Sequence, residues 1–302
     1  MKRLFRVSFF LGLLALAVWY FVLKEEHYQI SFTTKQPAAI AYQHVADWTP
    51  GIIEGVSAVV TLDQERHSNI TQRVEVGDSI FTYRWEFSKT KDSLTKIHVR
   101  ITDDKNSFSQ RLQVPFGKNA FVNRSIKNVQ GVGKALIKNS EKFKVHSIKD
   151  TLFPGGYNVY LPVASTIPNK AAAMNYSIVD LMGYINEHKI KLSGPPFLEI
   201  TQWNEETDEI NFNFCFPISK LDSLPSSDKV LFKNTPAFTA LKAEFNGNYS
   251  ISDKAWYYLL EYAERNDLKV EKFPTELYLN DPHTSTGNAL KWKANIYLPL
   301  AD

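Results

Sequence analysis

The sequence predicts an α+β chain of two domains behind one membrane-spanning helix. Three observations lead there. An uncharged apolar stretch lies next to the N-terminus. A strand–helix–strands–helix pattern follows it. The second half contains an internal repeat, with Leu181 and Tyr184 recurring 78 positions on as Leu259 and Tyr262. The 302 residues are 44% hydrophobic, enough apolar material for two cores. A net charge of +3 gives no basic footprint for nucleic acid, so none is expected as a partner. The lone Cys215 excludes an intramolecular disulfide and any multi-cysteine metal site. It sits among Phe212, Phe214 and Phe216, where a core role is expected.

Lys2, Arg3 and Arg6 precede an uncharged stretch from Val7 to Leu23, and membrane contact is assigned to residues 4–23. At a rise of about 1.5 Å per residue, that run crosses a hydrocarbon core. Trp19 and Tyr20 suit the interface, and Lys24-Glu25-Glu26 closes the segment. The basic flank keeps the N-terminus cytoplasmic and sends the rest across. A cleaved signal peptide, cut after Ala15-Leu16-Ala17, is the competing reading. It would leave apolar Val18–Leu23 as a new terminus, so residues 1–25 are read as an anchor.

Residues 26–148 are expected to form the first domain. Tyr28–Thr34 alternates as a strand does, and Pro37 opens a short helix containing Ile40, Ala41 and Val45. Residues 70–76, 81–87, 94–101 and 108–114 read as four more strands. Asn123–Val145 reads as a long helix with Val129, Val132, Leu136 and Phe143 on one face. Phe81, Tyr83, Trp85 and Phe87 are expected in its core, with cavity lining as the other reading. This order of elements resembles the START-like (polyketide cyclase) helix-grip superfamily. The resemblance implies a sheet curved round a long helix, with a cavity for lipids or other apolar molecules. Residues 149–157 include Phe153-Pro154-Gly155-Gly156 and are expected to be a bent linker.

The second domain is assigned to residues 158–302. Each repeat contains an amphipathic helix, with N-caps expected at Asn175 or Ser177 and at Ser250 or Ser252. A strand follows in each, from Phe197 and from Thr275, and a last strand ends in Phe216-Pro217-Ile218 and Leu298-Pro299-Leu300. Two such units imply a pseudo-twofold domain with a groove where they meet. Gly194-Pro195-Pro196-Phe197, Trp203-Asn204-Glu205-Glu206, Asn248-Tyr249 and Glu276-Leu277-Tyr278-Leu279-Asn280-Asp281-Pro282 together resemble the gyrase-inhibitor-like, or AraC-type effector-binding, small-molecule-binding family.

That resemblance implies Glu276 as the ligand carboxylate. Strand alternation puts Tyr278 on the same side. Tyr249 and Trp203 complete the expected ligand-binding set. No catalytic residue, metal ligand or cofactor is expected: the seven histidines show no ligand spacing, and His283 falls in a turn-rich loop. The expected partner is a hydrophobic small molecule, cations included. The combined expectation is a membrane-anchored sensor, scavenger or carrier outside the cytoplasm, periplasmic in a Gram-negative bacterium. Two alternatives stand beside it. One is a hydrolase of reactive small molecules, with Glu276 as general base and Tyr278 orienting. The other is a protein-interaction module of the envelope.

Overall fold

In the computed structural model, residues 2–52, 55–92, 94–220, 227–280 and 287–301 are described. The chain forms two units that divide between Lys138 and Asn139. The architecture is α+β: an apolar N-terminal helix, two antiparallel sheets and several further helices.

The first unit starts with α1 (Lys2–Val18), continued by a π-helical turn over Trp19–Leu23. Phe5–Leu23 is long and apolar enough to cross a membrane, and none of it is buried by protein. Next come β1 (Tyr28–Thr34), α2 (Ala38–Ala46), β2 (Ala58–Glu65), β3 (Asn69–Val76), β4 (Ser79–Lys89) and β5 (Thr95–Asp103). The sheet order is β1-β5-β4-β3-β2. Alternation along the strands sends Ile70, Val74, Tyr83, Trp85, Ile97, Val99 and Ile101 into one core with Ala41 and Val45 of α2. The strand β2 escapes the sequence pattern because it is an edge strand, mostly solvated.

Two expectations for this unit fail. Residues 108–114 are not a strand. The Asp103 carboxylate accepts the backbone N–H groups of Lys105 and Asn106, which turns the chain out of β5 into the helix α3 (Ser107–Gln113). The long helix α4 spans Ala120–Ser140, and its Val129, Val132 and Leu136 cover the sheet as expected. It stops before Phe143, which begins a strand of the second unit.

Tyr83 lies at the centre of the first core. Its hydroxyl accepts from Asn128 Nδ2 at 2.9 Å, and burial pushes the phenol up to about 12. Trp48 and Trp85 pack on its ring, and Gln72 stands opposite it on β3. Trp48 Nε1, Trp85 Nε1, Gln72 Oε1 and Asn128 Oδ1 are all buried without a protein hydrogen-bond partner.

In the second unit, residues 149–157 are no linker. They belong to β6 (Phe143–Phe153), the turn after it and the start of β7 (Gly156–Thr166). Then come α5 (Lys170–Glu187), β8 (Phe197–Asn204), β9 (Glu209–Pro217), β10 (Leu231–Thr235), β11 (Phe238–Gly247), α6 (Lys254–Arg265), β12 (Thr275–Tyr278) and β13 (Lys293–Pro299). The sheet order β10-β7-β9-β8-β12-β13-β11-β6 is a palindrome of the two copies. The strands β7, β9 and β8 answer to β11, β13 and β12, and β8 meets β12 at the pseudo-axis. Each outer strand is exchanged: β6 leads into β7 yet pairs with β11, and β10 leads into β11 yet pairs with β7.

The copies also agree locally. Two residues past the end of each helix stands a residue with positive φ, Lys189 and Asp267. In each case the next N–H reaches back five residues, from Ile190 to Ile185 and from Leu268 to Ala263. Cys215 is buried on the sheet face away from the helices with Phe153, Phe197, Ala240 and Tyr297, and burial pushes its thiol well up. At Gly155 (φ +66°) a Cβ would fall 2.3 Å from the Thr235 carbonyl oxygen, because the β6–β7 turn crosses the β10–β11 turn there. Gly155→Ala should therefore lower the urea midpoint of the second unit by the equivalent of about 1–3 kcal/mol.

His27 supplies a pH test of the first unit. It is buried, its Nδ1 accepts the Asp103 N–H at 3.0 Å, and its Nε2 lies 2.9 Å from Ser107 Oγ. Burial first, then the Arg111 charge, lowers its pKa from 6.5, against the opposing pull of Asp103 and Asp104. The unfolded chain therefore binds the proton more readily. The contribution to stability is full above about pH 6.5 and is lost as pH falls below it toward the folded value. Urea midpoints of the first unit should drop between pH 7 and 5 and flatten in His27→Asn.

Candidate functional site

On β12, alternation turns Glu276 and Tyr278 toward the helices, while Leu277 joins the aromatic cluster on the opposite face. Glu276 stands directly across from Leu198 at the pseudo-axis. Its carboxylate is wholly buried and touches both copies. From the first copy, Lys170 Nζ donates to Oε1 at 2.6 Å and to Ser252 Oγ at 2.8 Å. From the second, the Ser252 and Tyr278 hydroxyls each lie 2.6 Å from Oε2. The Lys170 ammonium also sits 4.9 Å from the centre of the Trp256 ring, a cation–π contact.

Lys170 and Glu276 both have no exposed side-chain surface. Burial, then the adjoining Glu276 charge, raises Tyr278 well above 10, so its phenol stays a neutral donor to the carboxylate. Met174 Sδ, one turn along α5, lies 3.5 Å from the same hydroxyl. The arrangement is a complete charge pair, hydrogen-bonded on both oxygens and roofed by an indole.

Of the four residues expected from the sequence, Glu276 and Tyr278 are bonded to each other. Tyr249 packs its ring 4.7 Å from that of Tyr278, and its hydroxyl donates to the Lys293 carbonyl at 2.8 Å. Trp203 is one layer out, edge-on to Trp256 at 5.1 Å. Asp281, Pro282 and His283 lie outside the described residues. Among the described residues no cluster of histidine, cysteine and carboxylate side chains is placed to hold a metal. A polar cavity of about 370 Å³, lined by Ser165, Thr166, Gln202, Asn204, Glu209 and Asn211, contains none of the residues of the charge cluster.

Sequence reasoning missed Lys170 and Ser252. The expected caps at Asn175 or Ser177 start the first helix too late: α5 begins at Lys170, and Ser177 Oγ merely donates to the Ala173 carbonyl inside it. In the second copy α6 begins after Asp253, whose side chain makes no capping bond, so neither Ser250 nor Ser252 is the N-cap residue. Each copy enters its helix through a 3-10 turn, Ile167–Asn169 and Tyr249–Ile251, followed at once by Lys170 and Ser252. Those two are therefore counterparts, 82 positions apart (252 − 170), whereas the helix ends are 78 apart (265 − 187). The first copy carries four extra residues, about one helical turn. A fixed offset of 78 hides the correspondence.

Residues 164–301 match the GyrI-like small molecule binding domain family, so the second unit carries a GyrI-like small-molecule-binding domain. Among solved structures, the chain resembles EcmrR in an EcmrR–DNA complex at 14% identity and a TM-score of 0.45, covering 65% of this chain and 71% of that one. It also resembles the EcmrR C-terminal domain at 17% identity and TM-score 0.41, covering 52% and 99%. A hydrolase from Listeria innocua is similar at 14% identity and TM-score 0.33, covering 51% and 92%. No curated protein matches the sequence.

Removing one member of a buried pair strands the other charge, at a cost of about 3–5 kcal/mol, while an apolar replacement of both is close to neutral. Lys170→Met and Glu276→Leu should each show that loss in urea unfolding. The double variant, which puts at 276 the Leu found at 198, should recover most of it.

Proposed function

We propose that the GyrI-like domain binds an apolar small molecule with a cationic group, and that Lys170 occupies the ligand's position on Glu276 until it arrives. The observation that carries this reading is the carboxylate at the pseudo-axis, bonded from both copies, with its ammonium partner lying against an indole face. A buried charge pair contributes little net stability, which makes a ligand role the better reading of this one. Packing supports a mobile first copy. The 18-residue α5 buries only Lys170, Leu181 and Ile185, whereas the 12-residue α6 buries Ala255, Trp256, Tyr257, Leu259 and Ala263. Withdrawal of Lys170 with the loosely held α5 would free the carboxylate and the Trp256 ring together. Hydrolysis finds less support, since Glu276 is engaged by three donors and has no surface open to water.

The same proposal makes the protein a single-pass membrane protein, N-terminus in the cytoplasm and both units outside it. Lys2, Arg3 and Arg6 before the apolar span support that orientation. It also makes the first unit a START-like carrier of lipophilic molecules. The four unpartnered polar atoms around Tyr83 support that, as hydrogen-bonding points inside an otherwise apolar interior.

The test is thermal shift of the full chain with a benzylic quaternary ammonium and its neutral carbon isostere. The cation should raise the unfolding temperature and the isostere should not. Glu276→Gln should abolish the shift. Lys170→Met, which removes the internal competitor, should tighten binding by about tenfold or more, equivalent to about 1.4 kcal/mol. Equal responses to both compounds, or an unchanged affinity in Lys170→Met, would sink the displacement reading.

A further inference from the structure

We propose that α3 and the 3-10 turn after it form a membrane-seating surface, lying in the headgroup layer of the bilayer that the N-terminal helix crosses. The proposal rests on the anchoring reading above and adds a second contact with lipid. Phe108, Leu112 and Phe116 recur every four residues, and their exposures are 70%, 45% and 91%. None of the seven residues of α3 is buried, so its apolar side chains serve no core. Exposed rings clustered in this way mark an interaction surface rather than scattered surface hydrophobics.

What identifies the occupant as lipid is the neighbour. The Tyr20 hydroxyl donates to the Arg111 carbonyl at 2.9 Å, and the Arg111 guanidinium donates back to the Tyr20 carbonyl at 2.6 Å. The Phe21 ring lies 6.2 Å from that of Phe108. These contacts fix α3 at the level of the last turn of the apolar span, where a bilayer passes from hydrocarbon to headgroups. Lys24, Lys105 and Lys118 flank the patch, and the Lys24 ammonium sits over the Tyr20 ring at 5.6 Å. An interfacial helix of this kind buries its apolar face about 5–10 Å into the headgroup boundary. His27, bonded to both Asp103 and Ser107, ties the first residue of α3 to the end of β5 and holds the segment at that height.

The experiment uses the full chain carrying Cys215→Ala, with a nitroxide spin label at Phe116→Cys or, as control, at Lys91→Cys. Lys91 sits in the β4–β5 turn, at the opposite end of β5 from α3. The protein is reconstituted into phosphatidylcholine–phosphatidylglycerol vesicles, and collision with oxygen is compared with collision with a water-soluble nickel chelate. The expected result is oxygen favoured over nickel at 116 and the reverse at 91. Nickel access at 116 equal to that at 91, in protein that floats with the vesicles after a carbonate wash, would overturn the seating surface and leave the anchor standing. A label at 116 shielded from both reagents would overturn it in favour of a second copy or another protein on this face. Failure to float would remove both the anchor and the surface.

Discussion

A full charge does not persist in an apolar interior unless another charge meets it there, and the second unit is organised around that constraint. Glu276 lies where the two halves of the eight-stranded sheet join, and no water-facing surface is available to it. Its partners are Lys170 from the start of the other copy's helix, Ser252 from just ahead of its own, and a tyrosine two residues along its own strand. The start of α5, the 3-10 turns ahead of both helices, and the indole beside the ammonium all meet at that one carboxylate. Interior pairs of this sort contribute little net stability, because desolvation offsets most of the attraction.

Much of the fold was legible in the sequence because it depends on short-range periodicity. The alternation in β3, β4 and β5, the apolar stripe of α4 and the repeated helices of the second unit are patterns of two and of three to four residues. What failed depends on long-range partners. Phe143–Phe153 reads locally as a helix end plus a linker, and becomes a strand because β11 lies beside it. Residues 108–114 carry enough apolar side chains for a strand, but Asp103 collects the amides that turn the chain into α3.

The site was half legible for the same reason. Glu276 and Tyr278 share a strand, so alternation alone puts them together. Lys170 reaches them across 106 positions, and nothing near it in sequence signals a buried ammonium. The mismatch lies between two offsets, 78 at the helix ends and 82 at the 3-10 turns that precede them, which marks four extra residues in the first copy. Lys170 is the first residue of the longer helix. Tyr249 and Trp203 were placed by resemblance, and in the structure they support the cluster through ring contacts, to Tyr278 and to Trp256.

The asymmetry at the pseudo-axis sets a condition on how such a centre can exist at all. In a dimer of identical subunits, every residue near a twofold axis meets its own image, so a carboxylate at the Glu276 position would face another carboxylate across β8 and β12. Ammonium would likewise be matched with ammonium at the helix starts. A single, one-sided charge pair at the axis, unlike two symmetric pairs beside it, requires halves of different sequence. Two copies joined in one polypeptide meet that condition: Leu198 is apolar where Glu276 is acidic, and Ser252 is neutral where Lys170 is basic. Neither half, paired with itself, would reproduce the centre that the joined chain contains.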